Sequence, residues 1–305
     1  ATRLATMPEA ASSFGAVALD GWLYIYGGHI VKNHSYSTAA VSGKFHRLNL
    51  KDGTTWESLP GGPPLQGLNL VGFNHQVYRV GGMEPRNKPG DPSDIVSLAT
   101  VARFDPATSV WQPLADLPEP RSSHDIAIVG HTLVVVGGWT LTGEGETWLD
   151  HALTLDLNDP QAKWEEIPEP FHRRALIAAT FHDKVYVIGG FDDNEEVVYK
   201  VDILDPATGQ WTSGPNLPGA GTDAFGPAAC VLAGHLYVSL GDGTMYQLDE
   251  ASKTWSAVGR SSPRIVHRIV PSGGALLVIG GATKGQNSDA IESLVPSDTY
   301  VAGNR

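Results

Sequence analysis

LVVVGG, residues 133–138, is an apolar run closed by two glycines, and the pattern returns along the whole chain. LYIYGG ends at Gly28, VYRVGG at Gly82, VYVIGG at Gly190, LYVSLG at Gly241 and LLVIGG at Gly281. The steps between successive ends are 54, 56, 52, 51 and 40 residues. Each run is too short for a buried helix and rich in β-branched and aromatic residues, so it reads as a strand. The paired glycines permit positive φ and a close backbone approach where that strand ends. Regular self-similarity at this period marks a repeat architecture.

A second mark follows each of the first five runs. TTWESLP, SVWQPLADLP, AKWEEIP, GQWTSGPNLP and KTWSAVG place Trp56, Trp111, Trp164, Trp211 and Trp255 at corresponding positions. Between glycines and Trp lies another strand: FHRLNL, VARFDP, LTLDLN, VDILDP or YQLDE. Asp105-Pro106 and Asp205-Pro206 open tight turns towards the Trp strand. Each unit is therefore a meander of four strands. Alone it would expose its apolar faces; six units around an axis bury them.

These marks resemble the kelch repeat family over nearly the whole chain, which implies an all-β, six-bladed β-propeller. Unit five departs, with Leu240-Gly241 in place of the glycine pair and a short loop to Trp255. After Gly281 comes a third strand, AIESLV, but no Trp strand follows. The N-terminal TRLATMP mimics TWESLP with Leu4 in the Trp place, so an N-terminal strand should complete the last blade and close the ring. The expected organisation is a single propeller over residues 1–296. Its blades run over 9–60, 61–115, 116–168, 169–215, 216–259 and 260–296 plus 1–8, with a tail at 297–305.

The chain has 305 residues and a formal charge of −12, from 21 Lys and Arg against 33 Asp and Glu. That balance, without a cluster of cations, disfavours nucleic acid and anionic membrane surfaces. No apolar run approaches the roughly 20 residues of a membrane helix. Cys230 is the only cysteine, which excludes an intrachain disulfide and a Cys-based zinc site. It sits in AACVLAG and reads as a core thiol. The chain starts at Ala1 without Met, an expectation of a processed secreted or periplasmic protein, and equally of a trimmed chain.

The same periodicity sorts candidate site residues. In a propeller the first strand of each blade lines a central channel, and the loops before it and after the glycines open on one face. The family resemblance implies that ligands use that face. His75, His131, His182 and His235 fall in the turns of the opposite face, and His46 in a third strand. His124 and His267 each lie 13 residues before the first glycine of their pair. Arg121, Arg173 and Arg264 each lie 16 residues before it. Two readings are open: the arginines bond neighbouring backbone, or they converge with the histidines on the channel mouth and hold an oxyanion. The long loops after the glycines add His29 and His34, Arg86 and Lys88, and Trp139, Trp148, Asp150 and His151. The loop GGFDDNEEVV reads as acidic and solvated.

No cofactor or metal is expected, although His29, His34 and His151 could in principle gather one. Kelch-type copper radical oxidases use a Cys–Tyr crosslink, for which this chain has no evident match. Plant specifier proteins imply an iron site; Glu146 and Asp150 match part of its spacing, but Thr154 stands where a His is needed. The reading adopted is a propeller that binds a small acidic ligand, sugar or protein partner through Arg121, His124, Arg173, Arg264, His267, His29, Trp139 and His151. The alternative is a carbohydrate-active enzyme similar to bacterial sialate mutarotase, which needs an acid–base pair and an Arg for the carboxylate. Fold alone does not separate them.

Overall fold

The structure is a computed structural model and describes residues 4–32, 35–297 and 299–300. Among the described residues there are only strands, turns and loops, and no helix long and apolar enough to cross a membrane. The first blade is an antiparallel meander of Gly15–Leu19, Trp22–Tyr26, Phe45–Asn49 and Trp56–Leu59. Four more four-stranded meanders follow, with inner strands Leu70–Phe73, Asp125–Val129, Ile177–Phe181 and Ala228–Leu232. The sixth sheet has three described strands, Arg268–Ser272, Ala275–Ile279 and Ile291–Leu294. Successive inner strands lie against each other, and the strand of blade 6 touches that of blade 1.

The core is not one mass but six clusters, each between two neighbouring blades. Tyr24, Tyr26 and Phe45 of blade 1 pack on Leu65, Leu70, Val77 and Phe104 of blade 2. The last cluster joins Val270, Leu277 and Ile279 of blade 6 to Phe14, Leu23 and Ile25 of blade 1. Thus the apolar alternation of every blade is buried against its neighbour, and the ring closes through the same packing that builds it.

The double glycines sit where backbone from the next blade enters. Gly138 donates its N–H to Arg173 O at 2.7 Å, and a Cβ on Gly137 would lie 2.6 Å from the same oxygen. No larger residue fits there. Equivalent bonds run from Gly28 to Leu65, Gly82 to Arg121, Gly190 to Ala224 and Gly281 to Ala11, at 2.8–2.9 Å. Unit five is the exception. Gly241 bonds Asp223 O of its own blade, and the stretch that lost its first glycine also lost this stitch to the next blade.

Three of the repeat tryptophans bolt their blade to the one before it, while Trp211 Nε1 of blade 4 is buried without a partner among the described residues. Trp111, Trp164 and Trp255 donate their indole N–H to the carbonyls of Pro60, Ala115 and Pro215 at 2.8–3.2 Å. Trp56 donates to Thr6 at 2.7 Å, so the N-terminal segment holds blade 6's place in the series. Met7 N bonds Asp289 O, two residues before its third strand, as Leu117 N bonds Ala99 O and Leu217 N bonds Tyr199 O. This corrects one sequence expectation. Leu4 matches Leu114, which lies beyond its blade's fourth strand, rather than a Trp; the Trp place falls among residues 1–3, outside the described residues.

Candidate functional site

A ring of six backbone hydrogen bonds crosses the mouth of the channel. Gly67 N bonds Ser13 O, Ser123 N bonds Gly67 O, and Ala175 N bonds Ser123 O. Gly226 N bonds Ala175 O, Val266 N bonds Gly226 O, and Ser13 N returns to Val266 O. The distances are 2.7–3.0 Å, and one residue comes from each blade. All six have positive φ, between 48° and 63°. The left-handed conformation turns each chain across the mouth before it dives into its inner strand. It explains the small side chains at five of these positions, with Val266 the exception.

Two cavities lie on either side of this belt. The outer one, of about 750 Å³, is lined by the belt residues Ser13, Ser123, Ala175 and Val266 and by the loops above them. The other, of about 250 Å³, runs between the inner strands towards the opposite face. Arg268 lies across the channel beneath the belt, donating from Nε to Phe14 O at 2.9 Å and from Nη2 to Leu68 O at 2.7 Å. Its Nη1 is 4.0 Å from Asp125 Oδ1, and Asp125 Oδ2 accepts from Ala178 N at 2.6 Å. Burial pushes the Asp125 carboxyl up and the Arg268 guanidinium down. Cys230 is half-buried, packed against the core cluster between blades 5 and 6 and also reaching the wall of the inner cavity, and burial raises its thiol pKa.

The equivalent arginines do not face the outer cavity. Arg121, Arg173 and Arg264 are 0%, 2% and 4% exposed. Each donates from Nη1 to the carbonyl of the first glycine sixteen residues on: Gly137 at 3.3 Å, Gly189 at 3.0 Å and Gly280 at 3.2 Å. Each also has a carboxylate: Glu119 at 3.2 Å from Arg121, Asp202 for Arg173 and Glu292 for Arg264. Their spacing recurs because the same clamp on the glycine turn recurs. Burial lowers the pKa of all three.

His124 and His267 are likewise inside, 3% and 1% exposed. Burial, with nearby guanidinium charge, pushes both down to about 3, so they are neutral. His267 Nε2 bonds Ser239 Oγ at 2.9 Å; neither ring nitrogen of His124 has a partner among the described residues. The same position carries Phe14, Leu68 and Leu176 in other blades, which marks it as an apolar junction site. His151 sits at the junction of blades 3 and 4, between Glu119 at 2.7 Å, Asp150 at 3.0 Å and Arg121 at 3.1 Å. Glu169 lies beside that cluster, accepting from Gly137 N at 2.9 Å, and burial raises its pKa to about 7. Among the described residues no group of three His, Cys, Asp or Glu is placed to hold a metal; His34 lies outside them. The turn histidines are exposed, with His75 on Asp20 at 2.7 Å and His182 on Glu250 at 2.9 Å.

Of the expected site residues, His29 and Trp139 do line the outer cavity. His29 is buried, bonded through Nε2 to Ser35 O at 3.0 Å and packed edge-on to Tyr36. Trp139 and Trp148 are cross-strand partners in the hairpin after the third glycine pair, with rings 5.6 Å apart. That hairpin leans on a residue the spacing rule passed over, Arg174. Its guanidinium carbon is 4.1 Å from the centroid of Trp139, 4.8 Å from Phe191 and 5.5 Å from Trp148. Cation–π contacts in such desolvated settings are worth about 1–2 kcal/mol. No hydrogen bond or ion pair to the Arg174 guanidinium occurs among the described residues, and its Nε is buried without a partner. Gln66 Nε2 and Trp139 Nε1, also on the cavity wall, are buried and unpartnered too. The only sequence signal was the doublet Arg173-Arg174: neighbours on a strand point to opposite sides, so one clamps the blade and the other faces the cavity.

A closed ring of six sheets, glycine turns stitched to the next blade and a loop-face cavity define a kelch β-propeller. The chain belongs to the kelch-repeat family: residues 67–281 match the KLHDC2/KLHL20/DRC7 Kelch-repeats domain. It is 26% identical to mouse Kelch-like protein 35, over 68% of this chain and 31% of that protein. It is 28% identical to human Kelch repeat and BTB domain-containing protein 13, over 70% of this chain and 42% of that protein. Acyl-CoA-binding domain-containing protein 4 of Arabidopsis thaliana is 25% identical over 95% of this chain and 46% of its own length. The chain thus spans less than half of these curated relatives. The solved structure of YjhT superposes with a TM-score of 0.78 at 15% identity, covering 98% of this chain and 99% of that one, a likeness of fold.

Proposed function

We propose that this propeller is a binding module whose outer cavity holds an anionic group, with Arg174 as the anchor. The observation that carries the reading is the contrast among its arginines. Arg121, Arg173 and Arg264 each have a carboxylate at ion-pair distance, whereas Arg174 is held between aromatic rings beside the cavity with no ion pair among the described residues, Glu146 and Glu195 acting on it only through space. Its aromatic neighbours fix the guanidinium plane and exclude water, which strengthens any charge-assisted bond made there. Gln66 Nε2 supplies a further unpaired donor on the same wall. A volume of about 750 Å³ suits a small organic molecule or one side chain of a partner. Protein partners are the usual ligands of kelch propellers, and the anion can arrive on either carrier.

The test is calorimetric titration of a panel of small carboxylates and phosphates into the chain and into Arg174→Gln. At least one anion should bind, and the substitution should weaken it tenfold or more, as should added salt. Equal binding by both proteins removes Arg174 as the anchor.

A further inference from the structure

The outer cavity is chemically lopsided. Its polar groups come from blades 1 to 4, with Ser13, Gln66, Ser123, the Trp139 indole N–H and Arg174 near the belt and the exposed carboxylates of Glu144 and Glu146 at the tip of the blade 3 hairpin. Blades 5 and 6 contribute only Phe225, Ile265 and Val266, and Ala175 of blade 4 continues that side. Phe225 packs edge-on to Phe191, which itself stacks on Arg174, so the apolar side reaches the cation. Met83, Ile95 and Leu141 cover the wall above the polar sector.

The floor does not correct the imbalance. The six belt residues spend both backbone N–H and C=O on one another, so beneath the ligand the main chain has no free donor and only second lone pairs as acceptors. Next to the belt, Ile265 and Ala282 also exchange both backbone bonds, which closes the blade 6 side completely. A ligand carrying hydroxyls around its whole ring would therefore press several of them against Phe225, Ile265 and Val266 with nothing to bond. An anion with an apolar body would satisfy both halves at once.

We infer that the ligand class is an amphipathic monoanion, a carboxylate on an aryl or branched aliphatic body, and not a polyhydroxylated sugar acid. The carboxylate takes the fork of Arg174, within reach of Gln66 and the Ser123 side of the belt. The body lies across Val266 towards Phe225 and Ile265. This inference rests on the anion-binding reading above and narrows it. It also moves the carbohydrate alternative raised by the sequence out of this cavity, because a sugar needs directional partners on both faces and the blade 5–6 side has none.

Six titrations separate the two levels. 3-Phenylpropionate, glucuronate and the neutral 3-phenylpropanol are titrated into the unaltered chain by calorimetry. 3-Phenylpropionate and glucuronate are also titrated into Arg174→Gln, and 3-phenylpropionate into Val266→Ser, which adds a hydroxyl on the apolar side. The expected result is that 3-phenylpropionate binds at least tenfold more tightly than glucuronate and than 3-phenylpropanol. It should weaken tenfold in Arg174→Gln and lose affinity in Val266→Ser. Glucuronate binding as tightly as 3-phenylpropionate, with both lost in Arg174→Gln, overturns the amphipathic ligand and leaves the anion site standing. Equal binding of 3-phenylpropionate and 3-phenylpropanol, unmoved by Arg174→Gln, overturns the anion site and this inference with it. No binding of any probe at millimolar concentration overturns both.

Discussion

Trp56 and Thr6 are joined by one hydrogen bond, indole N–H to carbonyl at 2.7 Å, between the first complete blade and the segment ahead of it. Trp111, Trp164 and Trp255 reach back one blade in the same way. For Trp56 the blade behind is the sixth, so this bond belongs to the ring's closure. Met7 is 5% exposed in the cluster that joins blades 6 and 1, and Leu4 packs against it.

Removal of residues 1–8 should therefore open the junction between the first and last blades. Met7→Ala alone should cost about 2–5 kcal/mol, the usual range for a buried Met. The deletion should cost more and promote aggregation through the exposed edge of Ile291–Leu294. Removal of residues 298–305 should shift the melting curve little. Thermal and urea denaturation of the three variants decide this, and an unshifted melt for the N-terminal deletion would refute closure by this segment.

The buried arginines should report on stability and not on ligand. Arg173→Ala leaves Asp202 and the Gly189 carbonyl without their donor, and breaking a buried pair from one side costs about 3–5 kcal/mol. Affinity for any anion in the outer cavity should change less than threefold, because Arg173 does not line it. A stable Arg173→Ala protein that has lost ligand would return the site to the equivalent arginines.

The belt makes a coupling prediction. A Cβ on Gly226 would lie 2.4 Å from Val266 Cγ1, while its φ of 56° is one that Ala175 already adopts at 50°. Overpacking of this kind costs about 1–3 kcal/mol. Gly226→Ala should thus destabilise the protein, and Val266→Ala should relieve most of that cost when added to it. A double-mutant cycle in urea should give a coupling of about 1 kcal/mol or more. Simple additivity would mean that backbone strain, and not this contact, sets the cost.

The fold was legible because a propeller writes its main constraint six times. Glycine pairs, third strands and tryptophans mark places where one blade's backbone meets the next, and each repeat confirms the others. The site was less legible for the same reason. Equivalent offsets drew attention to Arg121, Arg173 and Arg264, yet equivalence is what a shared structural job produces. Arg174 carries no repeated offset, and its aromatic neighbours come from positions 139, 148 and 191, in loops and hairpins without common spacing. Which face of a strand meets the cavity was readable for the doublet only once Arg173 was known to point inward.

His124 gives a pH prediction whose sign can be worked through. Its folded pKa is pushed down to about 3, against about 6.5 in an unfolded chain. Between these values the unfolded state binds the proton and the folded state does not, so stability falls as pH drops below about 6.5. His267 acts in the same direction over the same window, with a folded value of about 3. Glu169 opposes them: its folded pKa of about 7 exceeds the unfolded value of about 4.3, so its share of stability is lost as pH rises through 7. Asp125, whose carboxyl burial also pushes up, opposes the histidines in the same direction as Glu169, so the His124 share is read from the difference between parent and variant and not from the parent's net slope. His124→Leu places in blade 3 the residue that blades 2 and 4 already carry at Leu68 and Leu176, and it removes two buried ring nitrogens without partners. The variant should be as stable as the parent or more so at pH 7, and its advantage should widen steadily as pH falls to 4.5. Urea midpoints measured across that range test this directly. A parent and variant that lose stability in parallel below pH 6.5 would show that His124 is protonated in the folded protein.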